Sequence, residues 1–234
     1  MATWDEELLV SYHAQQQAVG WIAFLMPFSV RILASTFDGI AWTDSISAYY
    51  YTALRDVFVG SLAIGGVALA FFRTDRPHDR WVAVVAGVAA VGIGLFPMNI
   101  LAGDILWRSA TSPEETAKLL EALQHAPHGP LGLHFYCVAT FFALATYLVT
   151  FSFRANTAPD PTPQKLTRNK VYVVCGTIMA ASAVWLAFQK MHQHAIFWPE
   201  LFAVMSFAAA WLVKGQAVPG LKDHPGESST APPA

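Results

Sequence analysis

The chain has 234 residues, 55% hydrophobic and only 13% charged, with a formal net charge of −2 and a mean hydropathy of +0.41. Soluble domains carry about 25% charged residues, so the deficit points to the membrane class. The lack of a basic block argues against a nucleic-acid partner. Cys137 and Cys175, both inside apolar runs, are too few for a disulfide framework or a structural zinc site.

In chain order, the first segment, MATWDEELLVSYHAQQQ, is acidic and has no Lys or Arg before the first apolar run. A cleaved secretory signal needs a positive start, so an uncleaved membrane helix is expected, with 1–16 as a cytoplasmic N-terminal segment. A spanning helix needs about 20 mostly apolar residues. Six stretches qualify, at 17–36, 55–72, 81–101, 131–153, 170–189 and 196–214. They are too long and too continuously apolar for barrel strands, which run about ten residues with period two. The expected fold is therefore an all-α integral membrane protein, a six-transmembrane-helix bundle filling 17–214.

Three segments fall outside the spans. Residues 102–130 make a long outer loop, in which SPEETAKLLEALQHA (112–126) reads as a short interfacial helix. Ser112 is its N-cap, Pro113 its first residue, and Leu119, Leu120 and Leu123 form one apolar stripe. Residues 155–169 are a proline-rich cytoplasmic linker. Residues 215–234 are expected as a disordered cytoplasmic tail. Lys and Arg in the connections set the orientation. Arg73, Arg76, Arg80, Arg154, Lys165, Arg168, Lys170, Lys214 and Lys222 lie on one side. Arg31, Arg55, Arg108, Lys118 and Lys190 lie on the other. Nine against five places both termini in the cytoplasm and the protein in the cytoplasmic (inner) membrane.

Helices two and three are rich in small residues, with Gly60 and Ile64 on one turn and Gly87, Val91 and Gly94 along another face. Such faces allow close helix approach. They suit a tight pair within the bundle, or a contact with a second protomer or a membrane-complex partner.

The ionisable residues near the lipid boundary gather in the outer half, while the inner halves read as almost uniformly apolar. Arg31 ends helix one, Arg55 and Asp56 begin helix two, and Asn99 follows helix three. His134 begins helix four, and Glu200 lies early in helix six. Asp44, Ser45, Ser47 and Tyr49, Tyr50 and Tyr51 form the connection above them. A charge in hydrocarbon costs about 2.5–3.5 kcal/mol or more, so it is normally turned inward and paired. The expectation is one outward-facing pocket built from Arg31, Asp44, Ser47, Tyr50, Arg55, Asp56, Asn99, His134 and Glu200. Glu200 would pair with Arg31 or Arg55. His192 and His194 are subsidiary metal candidates, but their H-x-H spacing does not put both rings on one helical face. No cofactor is expected. Phosphate-loop, dinucleotide and G-x-S-x-G signatures are absent.

The stretches SISAYYYTALRDVFVG, GLFPMN, LGLHFYCVATFF and WPELFAVMSFAAAWLVKG together resemble a group of bacterial six-helix membrane proteins, distantly like the DRAM/Sfk superfamily, whose members are tied to lipid and membrane trafficking. The resemblance implies a compact six-helix bundle in which Ser47, Tyr50, Arg55, Asp56, His134 and Glu200 belong to one functional region. It carries no reaction. The first functional expectation is a polytopic membrane protein whose pocket binds a lipid headgroup or small amphiphile, with membrane lipid as the partner. The alternatives are a membrane-embedded lipid hydrolase, metal-dependent or not, using His134 and Glu200, an accessory subunit of a larger membrane complex, and a small-solute transporter.

Overall fold

The computed structural model describes residues 4–37, 39, 43–74, 76–98, 132–155, 161–192 and 194–222. Asn99, the loop 102–130 with its expected helix, and the tail beyond 222 lie outside the described residues. Among the described residues the chain is helical, with no strand. Helix α1 is Trp4–Phe37, α2 is Arg55–Ala70 and α3 is Pro77–Leu95. Helix α4 is Leu133–Tyr147, continued by a π-helical turn at Leu148–Ser152. Helix α5 is Pro163–Met191 and α6 is Phe197–Lys214. Short 3₁₀ turns lie at Ile46–Tyr51 and Pro219–Leu221.

The helix ends follow local chemistry. Pro77 sits at the start of α3, where its missing N–H costs nothing, and Arg76 before it is extended (ψ 116°), as a residue preceding proline should be. Thr162 caps α5 by accepting the Lys165 N–H at 3.2 Å. Gly132 leads into α4 at φ 72°, a left-handed conformation that suits glycine.

Among the described residues, five helical segments are long and apolar enough to cross a membrane: Ser11–Phe37, Pro77–Leu95, Leu133–Ser152, Pro163–Met191 and Phe197–Lys214. Helix α2 has 16 residues, about 24 Å at 1.5 Å per residue, against a hydrocarbon core of about 30 Å.

Helices adjacent in sequence are antiparallel neighbours, and α6 closes the ring against α1. Near the start of α1, the Tyr12 hydroxyl donates to the Arg73 carbonyl just past α2, and Gln15 donates to the Ala68 carbonyl at 2.8 Å. Gln17 donates to the Gly215 carbonyl after α6 at 2.7 Å. Tyr147, ending α4, donates to Asp79, beginning α3, at 3.0 Å. One end of the bundle, the near end, thus collects the starts of α1, α3 and α5 and the ends of α2, α4 and α6. The far end holds segment 43–54 and the opposite termini.

The apolar core runs through Met26, Leu69, Ala90, Ile93, Phe141 and Phe207 to an aromatic knot of Phe72, Phe153, Tyr172 and Trp211 at the near end. Gly66 and Gly87 bring α2 and α3 together so closely that a Cβ on Gly66 would lie 2.6 Å from the Gly87 carbonyl oxygen. Gly94 packs on Val59 and Leu62, whereas a Cβ on Gly60 would meet nothing within 4 Å.

The expectation of apolar inner halves is corrected at the near end, where Gln16, Asp79, Ser152 and Arg168 are buried. Helices α1, α3 and α5 extend beyond their apolar runs, so polar residues assigned to connections lie on helix ends turned inward. Arg168 donates to the Leu221 carbonyl at 2.6 Å and ties the start of the tail to α5.

Candidate functional site

The far end is organised by segment 43–54. Thr43 donates to the Ser45 carbonyl at 2.8 Å. The Ser45 hydroxyl accepts the Ser47 N–H at 3.1 Å and so caps the 3₁₀ turn. The Asp44 carbonyl accepts both the Ile196 and Phe197 N–H groups at 2.7 Å each, which are orphan donors at the start of α6. Tyr51 donates to the Met98 carbonyl after α3 at 2.6 Å. One short segment is thereby stitched to two other parts of the bundle.

Glu200 lies in the first turn of α6 and is 6% exposed. It shares the inward stripe of Ala203, Phe207 and Trp211, all buried, at the three- and four-residue steps of one helix face. Its carboxylate is held by segment 43–54. The Ser45 hydroxyl lies 3.0 Å from Oε1 and 2.9 Å from Oε2, and the Ile46 N–H donates to Oε2 at 2.6 Å. The expected pairing with Arg31 or Arg55 is therefore corrected: a hydroxyl and a backbone amide hold this carboxylate.

Around Glu200 lies a cavity of about 300 Å³, lined among the described residues by Ser45, Ser47, Pro97, Met98, Gly132, His134, Phe135, Val138, Leu186, Lys190, Ile196 and Glu200. Its polar groups are a carboxylate, two hydroxyls, an imidazole and an ammonium. Its walls are aliphatic, with one phenyl ring. His134 is buried, and its Nδ1 is 2.7 Å from the Phe96 carbonyl. A carbonyl oxygen can only accept, so Nδ1 carries a proton and Nε2 is left as the ring's other polar atom.

Among the described residues, the structure separates the other expected pocket residues from this cavity. Arg55 is exposed, donates to the Tyr50 hydroxyl at 2.7 Å and stacks over the Tyr50 ring at 4.5 Å. Asp56 is exposed in the first turn of α2, where the helix dipole favours an acid. Leu54 and Phe58, four apart and buried, define the inward face of α2, and Arg55 and Asp56 are turned about 100° and 200° from Leu54. Arg31 is half-buried beside Tyr49. Burial pushes the Tyr49 hydroxyl up from its ordinary value, with Thr43 and then Arg31 pulling it down. Tyr50 is buried, and Asp44 takes part through its carbonyl. His192 and His194 are exposed, with ring centroids 6.1 Å apart. Among the described residues no group of three His, Cys, Asp or Glu side chains could hold a metal ion.

Two polar lining residues escaped the pocket expected from sequence. Ser45, read as part of the connection above the pocket, caps the 3₁₀ turn and also donates to Glu200. Lys190 read as a loop charge, yet it lies at the end of α5, one turn beyond the partly buried lining residue Leu186. That spacing was the available signal.

The fold and cavity define an all-helical, membrane-type protein with a half-polar, half-apolar chamber at one end. No protein-family model matches the chain, and neither a curated protein nor a solved structure matches it, so the functional reading rests on the geometry.

Proposed function

We propose that the protein is a six-span membrane protein, with α2 as its short sixth span, and that its far-end cavity binds the headgroup of a lipid or another small amphiphile. Both termini would lie in the cytoplasm, with the cavity at the outer face of the inner membrane. The supporting observation is Glu200, a buried carboxylate in the lining of a cavity of about 300 Å³, a volume at the lower end of the small-molecule range. Its described donors are the Ser45 hydroxyl and the Ile46 amide, with the Ser47 amide also directed at it, whereas a carboxylate has about four acceptor positions. It retains capacity for a ligand's donor. Val138 and Leu186 give that ligand an apolar wall.

Native mass spectrometry of the full chain from gentle detergent tests this reading: a retained amphiphile is expected. Val138→Trp, which fills the cavity from α4, should remove it while leaving the helical circular dichroism intact. A wild-type protein that retains no amphiphile and takes up none on titration sinks the proposal. The span count is tested separately, by labelling cysteines introduced at Thr3 and Ser229 after replacement of Cys137 and Cys175. Six spans require the two sites to react from the same side, and five from opposite sides.

A further inference from the structure

The cavity is polar in two places of opposite sign. Glu200, on α6, is buried at 6% exposure, while Lys190, at the end of α5, is exposed, and both line the same space. A buried carboxylate is stabilised by a cation with N–H donors, and an exposed ammonium suits a phosphate at the cavity mouth. We infer that the cavity takes an aminoalkyl phosphate headgroup, with its primary ammonium on Glu200 and its phosphate toward Lys190. This inference rests on the amphiphile-binding reading above and names the ligand class for that same cavity.

The lining distinguishes among headgroups. A trimethylammonium has no N–H to give the remaining acceptor positions of Glu200, and it is recognised by aromatic faces. Among the described residues a single phenyl ring, Phe135, lines the cavity, and it is 51% exposed. A polyol phosphate without an amine would leave Lys190 as the described counter-charge for both Glu200 and the phosphate. A headgroup with its own carboxylate beside the amine would set two anions against each other. His134 commits its Nδ1–H to the Phe96 carbonyl, so the Nε2 of the neutral ring is an acceptor, suited to a bridging water or an ammonium N–H. Val138 and Leu186 then flank the first carbons of an attached chain.

The experiment offers the full-length protein equal concentrations of ethanolamine, choline and glycerol phospholipids with identical acyl chains, read by native mass spectrometry. The ethanolamine lipid is expected to be retained roughly tenfold over the choline lipid, as one charge-assisted hydrogen bond suffices for that factor. Glu200→Gln should erase this preference while leaving lipid uptake. Lys190→Gln, at an exposed position, should lower uptake of all three. Equal retention of ethanolamine and choline lipids by the wild type, or a preference for the glycerol lipid, overturns the headgroup assignment and leaves lipid binding standing. Failure to retain any lipid overturns both. The wild-type ranking needs no substituted protein, so a folding defect in Glu200→Gln does not affect it. Free O-phosphoethanolamine separates the sources: displacement of lipid by it at millimolar concentration indicates recognition of the headgroup alone, and no displacement indicates that the acyl chain is also required.

Discussion

The Ile46 N–H donates to Glu200 Oε2 at 2.6 Å, across 154 residues of chain. This bond joins the turn before α2 to the first turn of α6, and with the Ser45 hydroxyl it fixes the carboxylate in the cavity lining. Glu200→Ala would leave both donors buried without their acceptor. Each such group costs about 1–3 kcal/mol, so a destabilisation of roughly 2–5 kcal/mol is expected. Denaturant or thermal unfolding in detergent measures it, and a Tm equal to wild type would contradict the arrangement. Glu200→Gln keeps an oxygen for Ile46 and should cost about half as much.

Ser45 is placed to test whether capping and carboxylate binding are one function. Its oxygen accepts the Ser47 N–H while its hydrogen goes to Glu200. Ser45→Ala removes both, for a cost of about 1–2 kcal/mol. In a double-mutant cycle with Glu200→Ala the two losses should be clearly less than additive, since they share one hydrogen bond. Strict additivity would show that the cap alone matters.

Much of this was legible in the sequence, and the exceptions share a cause. Apolar run length located the six described α-helices, and the cost of a charge in hydrocarbon marked Glu200 as turned inward. Run length also hid features at the helix ends. Polar residues such as Asp79 and Arg168 looked like connections because hydropathy falls there, although the helices continue and turn these residues inward. Charge clustering misled at Arg55 and Asp56, which are adjacent to the site in sequence but face away from it. Charges near a boundary say little about direction, and the positions of buried neighbours three and four residues away say more.

At the bundle's middle, Gly66 and Gly87 should be intolerant of any side chain. Gly87→Val would drive its side chain into the Gly66 carbonyl and Ala70, and overpacking of this kind costs about 1–3 kcal/mol or more. Gly60→Ala meets nothing within 4 Å and should be neutral or stabilising by up to about 1 kcal/mol. Thermal unfolding of the two variants in parallel checks the contrast. Similar losses at both positions would contradict the α2–α3 approach.

The last prediction concerns pH. Burial, followed by the neighbouring Tyr50, pushes the Tyr51 hydroxyl up to about 12, against a smaller opposing pull from Arg55. An unfolded tyrosine titrates near 10. Between these values the unfolded chain releases its proton first, so the Tyr51 contribution to stability is complete below about pH 10 and falls as pH rises toward 12. Ionisation also ends the donation to the Met98 carbonyl, loosening segment 43–54 from the end of α3. Tyr51→Phe should therefore lower stability modestly at pH 8, by about 1 kcal/mol, and flatten the decline in stability between pH 10 and 12. Tyrosinate absorbance should lose its latest-titrating component in the same variant. An unchanged alkaline profile in Tyr51→Phe would assign that component to another tyrosine.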